Sequence, residues 1–147
     1  MSEAATGEPI DLMKSLGLVE RLEMNAEQGR AAIAFQAGMH MCHSGGVVQG
    51  GFIAGWIDSA MAHACMAMTG PGIVPMSLEL KVSYFAPARP GRVVAEAWIE
   101  RKGKTVCFAE GRLLDGAGKV LAKATSTIQL ANMTRVTAAA QAAVAGG

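Results

Sequence analysis

The segment His43-Ser-Gly-Gly-Val-Val-Gln-Gly-Gly-Phe-Ile-Ala-Gly-Trp-Ile-Asp58 holds the densest concentration of chemically useful residues in the chain. Gly50 and Gly51 stand where a long apolar run begins. If that run is helical, its first turn presents backbone N–H groups with no intrahelical partner, at the positive end of the helix dipole. Glycine lets another atom come close to that backbone. The combination suits the oxygen of a polarised carbonyl. A glycine-rich helix start without a ligand has the same sequence, so these residues alone leave both readings open. Asp58 bears on the choice, because it is the only carboxylate between Gly50 and Met68. A carboxylate in apolar surroundings is costly unless it is hydrogen-bonded or functional, and bracing a neighbouring loop is the other use for it.

Geometry constrains how the two groups can cooperate. Gly50 and Asp58 are eight positions apart, which is roughly 12 Å along one helix. A carbonyl held at the helix start therefore cannot touch Asp58 of the same chain. If both act on one substrate, Asp58 comes from a second copy, with two such helices antiparallel across a two-fold axis. Catalysis by this pair predicts an obligate dimer.

The elements that must position these residues follow from the pattern. Residues 9–16 read as a short helix started by Pro9 and stopped by Gly17. Strands are expected at Leu18–Met24 and Arg30–Phe35 around the turn Asn25–Gly29, followed by irregular chain over 36–49. The central helix spans about Gly51–Thr69 and ends at Gly70-Pro-Gly72; it is apolar nearly all round and must be covered on most sides. Met76–Phe85 alternates, with Met76, Leu78, Leu80, Val82 and Tyr84 on one face. That alternation puts Ser77 on the polar face. After the turn Pro87–Gly91, Arg92–Glu100, Thr105–Leu114 and Lys119–Leu130 read as strands, joined by Arg101–Lys104 and Asp115–Gly118 into antiparallel neighbours. The expected architecture is α+β: a meander of four strands plus the earlier pair, curled around one buried helix. One domain spans 1–147, its core about 15–130, and its Ala-rich tail, about 135–147, is expected to be a frayed end or a marginal helix.

Composition excludes several classes. A formal net charge of +1 provides no field to gather nucleic acid. The N-terminal MSEAATGEPIDLMK is acidic and lacks an apolar core run, unlike a secretory signal. Asp58 and His63 within the longest apolar stretch favour a buried helix over a membrane span. Cys42, Cys65 and Cys107 are odd in number and form no CxxC pair. They read as reduced, buried thiols of a cytoplasmic protein. His40, Cys42 and His43 lie close together without a second ligand pair, so no metal is expected. His63, on the apolar helix, reads as a packed core residue.

The motifs as a set resemble those of a known family. Gly50-Gly51 through Trp56, Asp58 and Ala60 opens the long helix, and Leu78-Glu-Leu-Lys-Val-Ser-Tyr-Phe-Ala-Pro-Ala-Arg-Pro-Gly91 follows. Arg101-x-Gly-Lys104, Phe108-Ala-Glu-Gly111 and Asp115-Gly-x-Gly-Lys119 complete the series. Over about residues 15–130 this is similar to the hotdog-fold thioesterases of the phenylacetic-acid-degradation type. The resemblance implies an antiparallel sheet wrapped around the helix, and hydrolysis of a medium-chain or aryl acyl-CoA by a homodimer or homotetramer. It implies no cofactor beyond the coenzyme A of the substrate. Gly50, and with it Gly51, would donate N–H to the thioester carbonyl. Asp58 would be nucleophile or general base, and Ser77 would position the water. Gln49 stands where the family has a histidine; glutamine can position a group but cannot become charged near neutral pH. His43 falls where relatives often carry an amide. Arg89, Arg101, Lys102 and Lys104 are the candidates for the coenzyme A phosphates. A non-catalytic acyl-CoA binder on the same fold is the competing reading, motivated by Gln49 and His43.

Overall fold

The structure is a computed structural model and describes residues 11–146. In chain order its elements are α1 Leu12–Ser15, β1 Leu18–Asn25, β2 Arg30–Ala37, β3 Cys42–His43, β4 Val47–Val48, α2 Gly50–Thr69, β5 Ile73–Tyr84, β6 Gly91–Lys102, β7 Val106–Leu114, β8 Val120–Asn132 and α3 Met133–Gly146. Six strands form one antiparallel sheet in the order β1-β2-β6-β7-β8-β5, and α2 packs against all six of them. This is the α+β, hotdog-type arrangement that the sequence implies.

The helix and the sheet share one core. Ile53, Trp56, Ile57, Ala60, Met61, Ala64 and Cys65 of α2 are buried. They meet alternate residues of the strands, including Ile33, Phe35, Val93, Ala95, Leu113 and Ile128. Trp56 stacks on Phe35, and its Nε1–H donates to the Leu16 carbonyl at 2.7 Å, which ties α1 to the helix. The helix is not covered on every side, however. Gly51, Ala54, Gly55, Asp58, Ala62 and Met66 recur at helical spacing and stay partly or fully exposed. Among the described residues, one stripe of α2 is therefore only partly covered.

Several expectations are corrected. The four later strands are not one meander: β6, β7 and β8 are, but β5 pairs with β8 at the sheet edge, and β6 pairs with β2. The connection from β5 to β6 carries Pro87 and Pro90, which have no N–H for a ladder. It crosses the start of α2 instead, with Ala88 O accepting from Val48 N–H at 2.9 Å. Pro75 within β5 fits an edge position for the same reason. The segment 36–49 is not wholly irregular. β2 continues to Ala37, and β3 and β4 form a small hairpin closed through Gly45 and Gly46, both at positive φ. The helix expected over 9–16 is the single turn Leu12–Ser15, capped by Asp11; Pro9 lies outside the described residues, as do the remaining N-terminal residues to 10. The C-terminal tail is helical to Gly146, with none of its residues buried.

β5 departs most consequentially from its predicted pattern. A register shift, a β-bulge, separates Ser77 from Glu79. An extra residue in one strand reverses the parity of everything after it. Ser77 sits opposite buried Ile128, while Val82 sits opposite buried Ala124. Odd positions before the bulge and even positions after it thus share the helix-facing side. Leu80 and Val82 pack against the core, whereas Met76 and Leu78 remain exposed at 45% and 57%.

Candidate active site

The bulge brings Ser77 to Asp58. Ser77 Oγ donates to Asp58 Oδ1 at 2.6 Å, joining β5 to the middle of α2. Asp58 is half-buried and lies on the partly covered stripe of the helix. Ser77 stays exposed, yet it reaches Asp58, which strict alternation does not predict. It holds one oxygen of the carboxylate, and among the described residues the other has no hydrogen-bond partner.

The start of α2 forms a second group. Gln49 is the N-cap: its side-chain Oε1 accepts from Gly51 N–H at 2.8 Å. The position that the resemblance associates with a histidine therefore caps the helix, and Gly51 N–H is already engaged. Gly50 is the first helical residue, and among the described residues no hydrogen bond uses its N–H. Tyr84, at the end of β5, donates its hydroxyl to the Gly50 carbonyl at 2.8 Å. A cleft of about 380 Å³ opens beside Gly50. Val47, Val48, Ile53, Phe85, Ala86 and Pro87 make its walls apolar, and His43 and Tyr84 add polar groups. Tyr84 lines this cleft although the sequence gives no sign of it, since an aromatic on an alternating strand reads simply as packing.

The basic candidates separate into two places. Arg89 is exposed beside the cleft and donates to Gly45 O at 3.1 Å. Arg101 and Lys102 end β6, and Lys104 follows in the turn to β7; all three are exposed. Lys102 neighbours Met68 and Thr69, the last turn of α2. A single chain therefore does not gather the four. Nor does it gather Gly50 and Asp58, which stay two turns apart on one helix. Among the described residues no group of three potential metal ligands forms.

Two further findings concern α2. His63 is buried, as its apolar neighbours predict, but it is also hydrogen-bonded. Its Nδ1–H donates to Ser59 O at 2.7 Å, and Nε2 accepts from Arg21 Nε–H at 3.2 Å. Burial lowers its pKa and the Arg21 charge lowers it further, against an opposing pull from the Ser59 bond. Cys65 and Cys107, far apart in sequence, meet in the core with Sγ atoms 3.0 Å apart, and all three cysteines are free thiols. Burial, reinforced by the Cys107 thiol, holds the Cys65 thiol well above its ordinary range.

A helix wrapped by an antiparallel sheet, with a glycine-rich helix start and a mid-helix carboxylate, defines a hotdog-fold protein. Residues 45–122 match the model of the Thioesterase superfamily, and the chain belongs to that family. A protein of Saccharolobus solfataricus that carries the provisional name of an esterase is 32% identical over 69% of this chain and 71% of its own. Among solved structures, a thioesterase-like, phenylacetic acid degradation-related protein of Ralstonia eutropha is 29% identical, with a TM-score of 0.76 over 83% of this chain and 92% of that one. The phenylacetic acid degradation protein PaaI of Thermus thermophilus, solved as a mutant, is 28% identical, with a TM-score of 0.69 over 80% and 96%. No helix among the described residues is long and apolar enough to cross a membrane.

Proposed function

We propose that the protein is an acyl-CoA thioesterase that hydrolyses medium-chain or aryl acyl-CoA, with each active site shared between two copies of the chain. The observation that carries this reading is the Ser77–Asp58 pair on the partly covered stripe of α2. Here a half-buried carboxylate is oriented through one oxygen, and among the described residues its other oxygen has no hydrogen-bond partner and its face is only partly covered.

The shared site follows from the geometry. For Gly50 of one copy to face Asp58 of the other, two antiparallel α2 helices must cross midway between those positions, at Ala54. Ala54 and Gly55 are small and partly exposed, so they permit close approach there. The neighbouring edge strand β5 has unpaired backbone groups on its outer side and exposed Met76 and Leu78, a combination that favours pairing with another chain. The same crossing carries Arg101, Lys102 and Lys104 of the second copy toward the Arg89 end of the first. The basic candidates for the coenzyme A phosphates would then lie on one side of the joint cleft.

In this arrangement the acyl chain enters the apolar cleft and its carbonyl oxygen accepts from Gly50 N–H. Asp58 of the second copy, with one oxygen held by Ser77, takes a proton from a water at its other oxygen. The resulting hydroxide adds to the carbonyl carbon. The tetrahedral intermediate then collapses, the C–S bond breaks, and the coenzyme A thiolate leaves, taking the proton that Asp58 had removed from the water. The helix start stabilises charge where it develops, which is where preorganised donors contribute most. His43 sits at the cleft, placed to contact the acyl head. The free thiols fit the reducing environment of the cytoplasm.

The test is thiol release over a panel of straight-chain and aryl acyl-CoA esters, with the solution mass measured alongside. Turnover by a dimer or larger assembly supports the reading. Tight acyl-CoA binding with no thiol release on any ester would favour the non-catalytic binder, and a catalytically active monomer would defeat the shared site.

A further inference from the structure

Gly50 is a swivel between two peptide planes, and both planes are held. In the plane before it, Gln49 O accepts from Phe52 N–H at 3.0 Å. In the plane after it, the Gly50 carbonyl accepts from Tyr84 Oη and the Gly51 N–H donates to Gln49 Oε1, each at 2.8 Å. Those last two atoms are opposite ends of one planar amide, so it cannot turn without breaking one bond or the other. A glycine left to itself would sample a wide range of torsions. Here its N–H is held in one direction, beside the cleft.

The glycines themselves fit this clamp. A Cβ at Gly50 would lie 3.1 Å from Tyr84 Oη and 3.2 Å from Cζ, and a Cβ at Gly51 would lie 2.7 Å from Gln49 Oε1. Each glycine therefore makes room for one arm. Tyr84 stays half-exposed, with its ring against the helix start and its hydroxyl bonded to backbone.

We propose that Tyr84, acting with Gln49, is a positioning residue for the oxyanion contact: it fixes the Gly50–Gly51 peptide and so limits the rotation about Gly50 that would turn the neighbouring plane, which carries the Gly50 N–H, away from the substrate carbonyl. This rests on the hydrolase reading above. It assigns Gln49 to the backbone, not to the substrate.

Tyr84→Phe removes the bond and keeps the ring. On the acyl-CoA that the wild type turns over best, kcat is expected to fall about three- to tenfold, the equivalent of one lost hydrogen bond, with KM within about twofold. Gly50→Ala should displace the Tyr84 ring, so its added loss should be smaller in the Tyr84→Phe background than in the wild type. An unchanged kcat, or losses that simply multiply, would overturn the clamp. Amide hydrogen exchange at Gly51, followed by NMR, judges it independently of activity. The Gly51 amide, bonded to Gln49 Oε1, should exchange at least about threefold faster in Gln49→Ala, and in Tyr84→Phe, which frees the other end of the same peptide. Unchanged exchange rates sink the clamp, while a wild type inactive on every thioester sinks only the hydrolase reading.

Discussion

Asp58→Asn separates catalysis from packing at the centre of the proposed site. The amide has the shape of the carboxylate and keeps an oxygen for the Ser77 hydroxyl, now 2.6 Å away. What it loses is the charge and the ability to take a proton. The side chain is only half-buried, so exchanging a charged for a neutral hydrogen bond should cost at most about 1 kcal/mol of stability. Loss of a general base, in contrast, typically costs 10²- to 10⁴-fold in rate, or about 2.7–5.4 kcal/mol in the barrier. The two effects differ enough to be told apart. Steady-state thiol release at saturating acyl-CoA should fall at least about a hundredfold, while the melting temperature moves by a few degrees and the elution volume stays the same. Asp58→Ala should lose at least as much activity with the assembly intact. A variant that keeps kcat within threefold of the wild type would remove Asp58 from the mechanism and leave the Ser77 bond as a structural brace.

Other expectations follow from particular contacts. Ser77→Ala leaves the carboxylate in place but unheld; kcat should fall about tenfold, less than for Asp58→Asn, and an equal or larger loss would make Ser77 more than an orienting group. Gly111 on β7 packs beneath α2, where a Cβ would stand 2.8 Å from Ile57 Cγ2 and 3.0 Å from Glu96 O. Gly111→Ala should therefore destabilise by about 1–3 kcal/mol in denaturant titration, and an unshifted midpoint would refute that packing. His63 resists protonation when folded, whereas the unfolded residue takes a proton below about pH 6.5. The unfolded state thus binds more protons from there down to the folded value, so stability is full above 6.5 and falls as the pH drops through that window. Melting temperatures between pH 8 and 5 should show this slope in the wild type and a flatter one in His63→Gln; identical slopes would contradict the assignment.

The fold was legible where local periodicity carries the information. The long apolar helix with its glycine stop, the three strands joined by short links, and the turn before β2 all follow from patterns within a few residues. Non-local choices were less legible. Pairing β5 with β8 in place of β6 depends on a proline-bearing crossing over α2, and no periodicity in β5 announces its partner. The bulge at Leu78 is one added residue, yet it reverses the facing of Ser77 relative to Leu80 and Val82, so an unbroken alternation put the serine on the wrong side. The meeting of Cys65 and Cys107 likewise depends on packing between a helix and a strand, 42 positions apart.

The site was legible in its parts and not in its assembly. Gly50, Gln49 and Asp58 stand out because each departs from its surroundings: flexible backbone at a helix start, a polar cap, and a charge among apolar residues. Tyr84 gave no such signal, and its role emerges only when the end of β5 meets the start of α2. The same α2 that makes the chain readable also divides the chemistry, because a rigid helix cannot bring its first residue to its ninth. On the proposed mechanism a single chain presents two half-sites: an N–H at a cleft with no carboxylate, and an oriented carboxylate on a partly open face. In that proposal a second copy, seated on the partly exposed stripe and the edge strand β5, would complete both at once.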